Sequence, residues 1–167
     1  MARAPAEIRV SGATIPIREA DGAADIGAAR ELFEEYARWL AVDLCFQNFA
    51  EELATLPGAY ARPRGRLLLA GPAPQAVGCI ALRPLDAHAG EEKRLYVRPE
   101  ARGTGLGARL ASAVLEAARE IGYRELKLDT LEWMGEARTL YANLGFRECP
   151  AYYDNPLPGA VYMALTL

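Results

Sequence analysis

At 167 residues, 51% hydrophobic and 25% charged, the chain has the length of one folded domain and is too apolar for the disordered class. No apolar run approaches the roughly 20 residues needed to cross a bilayer, and a formal charge of −3 speaks against a general nucleic-acid binder. Three scattered cysteines (Cys45, Cys79, Cys149) and the single histidine His88 give neither a disulfide scaffold nor a local metal site. The first ten residues carry Arg3, Glu7 and Arg9 and lack the apolar stretch of a signal peptide. The expectation is one cytoplasmic domain over 1–167 that holds no metal and binds neither nucleic acid nor membrane.

In chain order, residues 14–18 read as a short strand. Asp21 or Asp25 then caps a helix on which Ile26, Ala29, Phe33, Tyr36, Ala37 and Leu40 share helical spacing. Asn48 with Glu51 three residues later resembles a capping box opening a short second helix, which Pro57-Gly58 stops. Residues 66–70 and 75–83 are apolar runs joined by Gly71-Pro72-Ala73-Pro74, a hairpin pattern. After a loop over 84–90, residues 91–97 read as another strand, and three strands without an intervening helix pair antiparallel. From 105 to 121 the pattern turns helical, with Leu106, Leu110, Ala113, Val114, Ala117 and Ile121 on one face and Gly122 as the stop. A strand over 125–131, a helix over 136–144 ended by Gly145, and a last strand over 160–165 complete the chain. The order β-α-α-β-β-β-α-β-α-β predicts an α+β fold, a mixed α/β sandwich around one sheet.

Charge is unevenly spread. Residues 93–110 carry Lys93, Arg94, Arg98, Arg102 and Arg109 against Glu100, a net +4, whereas residues 31–52 carry six acids against Arg38, a net −5. An acidic chain with one compact basic island suits local binding of a small polyanion.

Within that island lies a strand-to-helix turn, Arg102-Gly103-Thr104-Gly105-Leu106-Gly107. Glycines at alternate positions let backbone amides approach a ligand without an intervening Cβ, and the free N–H groups and positive end of the helix that follows suit phosphate. Gly103-x-Gly105-x-x-Ala108 formally matches a dinucleotide fingerprint, with Asp129 at about the right distance for a ribose contact. The context excludes it, because five residues separate Val97 from Gly103 and only 60 follow Gly107, too few for a series of βαβ units. A Walker-type loop fails for lack of Gly-Lys-Ser/Thr.

Arg102-x-x-Gly105-x-Gly107, five residues after Val97, resembles the acyl-CoA pyrophosphate loop of the GNAT superfamily of N-acyltransferases. Downstream, Leu140-Tyr141-x-x-x-Gly145-Phe146 resembles that superfamily's L-Y-x-x-x-G-F segment. The resemblance covers residues 13–165 and is strongest over 91–146. It implies a mostly antiparallel sheet whose central strands splay, so that the pantetheine arm of acetyl-CoA pairs with exposed backbone at Leu95 and Val97, with Tyr96 between them. It implies that the Val97 N–H meets the thioester carbonyl, that amides from Arg102 through Gly103, Thr104, Gly105 and Leu106 to Gly107 hold the pyrophosphate, and that Tyr141 protonates the departing thiolate. Glu91, six residues before Val97 and by alternation on the same strand face, stands where members of the superfamily often place a carboxylate base; Glu92 points the other way and is the weaker candidate. Met134 stands where the superfamily often has asparagine, which removes one polar contact to the cofactor arm.

These residue types suit acyl transfer. An amine with a pKa near 10 is only about one part in a thousand neutral at pH 7, so a partly desolvated carboxylate such as Glu91, directly or through water, has a proton to remove. A backbone N–H at Val97 stabilises the oxyanion. The resemblance implies an N-acetyltransferase acting from acetyl-CoA on a primary amine of a small molecule or peptide, by direct attack in a ternary complex. The alternative is a non-catalytic acyl-CoA-binding regulatory module. In similar proteins the first two helices and the loop before the last strand shape the acceptor pocket; there Asp43 or Glu52 is a candidate partner for a cationic amine, and the aromatic segment 152–159 is a candidate lid or dimer contact. A homodimer is what the resemblance suggests.

Overall fold

The computed structural model describes residues 14–167. It begins with β1 (Ile17–Glu19) and α1 (Gly22–Leu40), then α2 (Phe49–Thr55) between two short 3-10 turns, and then β2 (Arg66–Ala70), β3 (Gly78–Pro84) and β4 (Ala89–Val97). A third 3-10 turn, Pro99–Ala101, leads into α3 (Leu106–Ile121), β5 (Glu125–Leu131), α4 (Gly135–Asn143), the two-residue β6 (Arg147–Glu148) and β7 (Ala160–Thr166). All seven strands share one sheet in the order β1-β2-β3-β4-β5-β7-β6. Among the described residues only the β4–β5 pair is parallel. The α+β order read from the sequence is present with one strand added, since β6 is too short to leave an alternation pattern. Among the described residues no helix is long and apolar enough to cross a membrane.

Both sheet faces are covered, which explains why β2 is a continuous apolar run. Leu67 and Leu69 pack with Ala29, Leu32 and Phe33 of α1, while Leu68 and Ala70 pack with Leu110, Val114 and Leu115 of α3. Each fully buried leucine contributes roughly 1.5–3 kcal/mol. The apolar stripe of α3 is wider than its 3.6-residue period suggests, because Ala111 and Ala118 are small enough to join it at the sheet. Gly122 ends the helix in the left-handed conformation, φ 96°, its N–H reaching the carbonyls of Ala118 and Arg119.

Two helix starts differ from the expected capping. Asp21 stands at the N-cap of α1 but makes no side-chain cap bond. Asp25, one turn in, accepts the Asp21 N–H at 2.8 Å and the Arg18 guanidinium at 2.5 and 2.7 Å. The box expected of Asn48 and Glu51 does not form. Asn48 is left-handed at φ 55°, where its N–H closes the preceding 3-10 turn onto Cys45, whereas a side-chain cap needs extended backbone at that position. The Arg18 bond and the Asp21 N–H hold the Asp25 carboxyl down from 3.8 to about 2. A depressed folded-state pKa stabilises the fold above the ordinary carboxylate range and ceases to do so as the pH falls through it. Asp25→Asn is therefore expected to lower stability at neutral pH and to flatten its decline between about pH 4 and 2, as followed by urea unfolding across that range.

Candidate active site

The central strands part for a local reason. β4 and β5 pair only through Ala89↔Glu125, Gly90↔Leu126 and Glu91↔Lys127. On the other edge of β4, the register with β3 slips between Cys79↔Tyr96 and Ala81↔Lys93, so Arg94 and Leu95 together oppose Ile80. This is a β-bulge, which bends a strand and increases its twist. Its left-handed residue is Arg94, φ 62°, a conformation that costs a non-glycine residue roughly 1–2 kcal/mol. The strain is held by long-range partners. Nε and Nη2 of Arg94 donate to Glu52 at 2.8 and 3.1 Å and Nη1 donates to Gln47 at 2.8 Å. The guanidinium also lies 5.1 Å from the Phe49 ring centre.

The bulge resets the alternation of side chains. Lys93 and Tyr96 lie opposite Ala81 and Cys79 on the α1 face, and Glu91 lies opposite Arg83 on that same face. Leu95 and Val97 pack with the α3 cluster. The expectation that Glu91 shares a face with Val97 is therefore corrected: the extra residue at Arg94 puts Glu92 there instead. Glu91 is 1% exposed and bound to Arg83 at 2.7 Å, with the Lys93 ammonium at 3.9 Å.

The acidic helices and the basic island largely neutralise each other. Glu52 pairs with Arg94, Glu35 with Arg98 at 2.7 Å, and Asp129 with Lys93 at 3.4 Å. Glu52, considered for a cationic acceptor, is thus already engaged, and Asp43 sits on an exposed turn accepting the Cys45 N–H. Because the Arg94 and Glu52 side chains are 2% and 11% exposed, Arg94→Met leaves a nearly buried carboxylate without its counter-charge, held by the Tyr60 hydroxyl alone, and is expected to cost about 3–5 kcal/mol. Urea unfolding measures this, and the double variant with Glu52→Leu should recover part of the loss.

Two connected spaces occupy the splay. The larger is a groove of about 750 Å³. Leu95, Tyr96 and Val97 form one wall, residues of α4 the other, and Arg102, Gly103, Gly105, Leu106 and Gly107 close its end. Of the residues expected to hold a cofactor, only Thr104 lies off this lining, its hydroxyl donating to the Ala101 carbonyl at 2.7 Å. Gly103 and Gly105 have φ of 76° and 80°. Gly105 is the N-cap of α3 without a side-chain cap, and the first helical bond runs from Arg109 to Gly105. The amides of Leu106, Gly107 and Ala108 thus have no partner within the helix. Arg102 ties this loop back to the strand: its Nε donates to the Val97 carbonyl at 2.8 Å, and its guanidinium lies over Trp39 and Tyr96. Trp39 and Trp133, the chain's two tryptophans, are exposed and line the groove with their ring centres 5.6 Å apart.

The smaller space, about 70 Å³, lies deeper between β4 and β5. Tyr141 reaches it from α4, its ring packed edge-on against Phe146 and its hydroxyl donating to Glu92 Oε1 at 2.5 Å. Burial pushes the Glu92 carboxyl up to about 7 against the pull of that hydrogen bond. Burial and the adjacent carboxyl push the Tyr141 phenol well above its ordinary value. Neither Glu91, Asp43 nor Glu52 lines this space. Met134 lines both spaces and receives the Thr130 hydroxyl on its sulfur at 3.5 Å.

The aromatic segment before β7 folds back toward the same place. Tyr153 donates its hydroxyl to Asp129, Asn155 donates to Asp129 at 2.9 Å, and Gln47 donates to Tyr153 at 3.0 Å. Burial works to raise the Asp129 carboxyl, and Lys93 with these donors outweighs it and holds the group below its ordinary value. The sequence reading ranked Glu92 below Glu91 and missed Asp129 as a member of this site. Adjacent glutamates on a strand signal that one faces each side, but only the bulge decides which.

The Acetyltransferase (GNAT) family model matches residues 27–146. A Schizosaccharomyces pombe protein named as an uncharacterized N-acetyltransferase is 36% identical over 165 residues, spanning 98% of this chain and 97% of its own length. An acetyltransferase from Streptococcus agalactiae shares the fold, with a TM-score of 0.76 over 92% of this chain and 99% of that one at 21% identity. A GNAT family acetyltransferase from Elizabethkingia anophelis, solved with acetyl-CoA bound, gives a TM-score of 0.53 at 25% identity over 62% of this chain and 76% of that one.

Proposed function

The chain belongs to the acetyltransferase (GNAT) family, and from that premise we propose that it moves an acetyl group from acetyl-CoA to a primary amine of a small molecule or peptide by direct attack in a ternary complex. One observation carries the reading: the open edge of β4, the uncapped amides of α3 and the buried hydroxyl of Tyr141 line one continuous splay. The relative from Elizabethkingia, with acetyl-CoA bound, supports the choice of donor.

In this reading the amides from Arg102 to Gly107 receive the diphosphate. The pantetheine arm adds to β4 as an extra strand along Leu95–Val97. The Val97 N–H then meets the thioester oxygen as charge develops, with no solvent to reorganise. Tyr141, whose raised pKa keeps it protonated at neutral pH, supplies the proton that caps the thiolate. Glu91 serves as the counter-charge of Arg83 and Lys93.

Incubation with acetyl-CoA and a panel of amines, following free thiol, tests the proposal. Thiol release that depends on the amine supports it; tight acetyl-CoA binding with no turnover on any amine contradicts it. Binding itself has a built-in reporter. With Trp39 and Trp133 at the groove, acetyl-CoA is expected to change tryptophan emission saturably, and the change should disappear in Gly105→Val.

A further inference from the structure

The open edge of β4 is not bare where the pantetheine arm is expected. Consecutive carbonyls along a strand point to opposite edges. The Arg98 N–H donates to the Val77 carbonyl on the β3 side at 2.8 Å. The Val97 backbone therefore faces the splay, beyond the last β4–β5 pair at Glu91↔Lys127. There its carbonyl is already taken by a side chain of the same chain: Nε of Arg102 donates to it at 2.8 Å. The guanidinium carbon lies 5.5 Å from the ring centre of Trp39 and 5.7 Å from that of Tyr96, within cation–π range. Val97, Arg102, Trp39 and Tyr96 all line the large groove.

The charge of Arg102 is also uncommitted. Arg94 and Arg98 of the same basic island pair with Glu52 and Glu35. Among the described residues no carboxylate forms an ion pair with Arg102. Its backbone is fixed, the N–H reaching the Pro99 carbonyl at 3.3 Å, and Gly103 of the expected phosphate loop follows directly. The guanidinium can therefore pass between the strand edge and the loop by side-chain rotation alone.

We propose that Arg102 is a placeholder for the cofactor: its Nε–H holds the Val97 carbonyl until an amide N–H of the pantetheine arm takes that carbonyl over, and the released guanidinium turns to the diphosphate. The proposal rests on the acetyl-CoA reading above. The Val97 carbonyl keeps a donor before and after the exchange. Arg102 gives up one hydrogen bond and two aromatic contacts, and gains charge-assisted bonds to phosphate oxygens that suit its planar fork. A donor that has the arm but no diphosphate must displace Arg102 without that return. Arg102 thus selects for donors that carry both parts.

Arg102→Met tests the exchange, using the full chain with acetyl-CoA and with S-acetylpantetheine, which has the arm and the thioester but no diphosphate. Methionine keeps an apolar stem against the rings and lacks both the donor and the charge. S-Acetylpantetheine should bind the variant about three- to tenfold more tightly than wild type, the scale of one hydrogen bond no longer in competition. Acetyl-CoA should bind it about tenfold more weakly, because a bond to a charged group is lost. NMR titration measures the first and calorimetry the second. A side chain that only contacts phosphate predicts unchanged S-acetylpantetheine binding, and one that only braces the loop predicts weaker binding of both. Either result overturns the placeholder and leaves acetyl-CoA binding standing, as does a wild-type complex in which Arg102 Nε stays on the Val97 carbonyl beside the bound arm. Wild-type protein that binds neither donor overturns the acetyl-CoA reading itself.

Discussion

Gly105→Val is expected to weaken acetyl-CoA binding by at least about 100-fold, or roughly 2.7 kcal/mol, at a cost of roughly 1–2 kcal/mol in stability. The residue caps α3 at φ 80°, where a β-branched side chain is strongly disfavoured. An added Cβ meets no protein atom within 4 Å, so the fold has room for the substitution. The groove does not, since Gly105 is part of its lining. The valine both turns the first amides of α3 away from their common direction and fills the space that the diphosphate requires. Calorimetric titration with acetyl-CoA measures the loss. Gly27→Ala, on α1 with open space around it, serves as a comparison and should leave binding intact.

Tyr141→Phe is expected to lower kcat by about 10²–10⁴ and to change acetyl-CoA affinity by less than about threefold. The phenol is 6% exposed with its hydroxyl on Glu92, so water does not readily replace it as a proton source. The variant also leaves Glu92 Oε1 without its donor, at a cost of about 1–3 kcal/mol in stability. Steady-state rates together with binding titrations separate the loss in kcat from any change in affinity. Unchanged kcat would show that solvent protonates the thiolate.

Local patterns made much of this fold legible. The apolar period of α3, its glycine stop, the hairpin of β2 and β3, and the turn from Arg102 to Gly107 each depend on residues close in sequence. They stand where the sequence places them. Two of the misreadings have a common cause in contacts between distant residues. Strict alternation places Glu91 beside Val97, and it fails because Arg94 is held left-handed by Glu52 and Gln47, more than forty positions away. The same pairing engages Glu52, one of the two acids that appeared free to attract a cationic acceptor. The capping box at Asn48 fails for a local reason, since the 3-10 turn ending there holds Asn48 left-handed where the cap needs extended backbone. Asp129, considered only for a nucleotide ribose, turns out to anchor Tyr153 and Asn155 of the segment before β7.

The most direct test of the account is the structure of this chain crystallised with acetyl-CoA. The account predicts the diphosphate on the amides between Arg102 and Gly107, the pantetheine arm bonded to β4 at Leu95 and Val97, and the thioester sulfur within hydrogen-bonding reach of Tyr141 Oη. A nucleotide bound elsewhere on the molecule, with that loop empty, would contradict it.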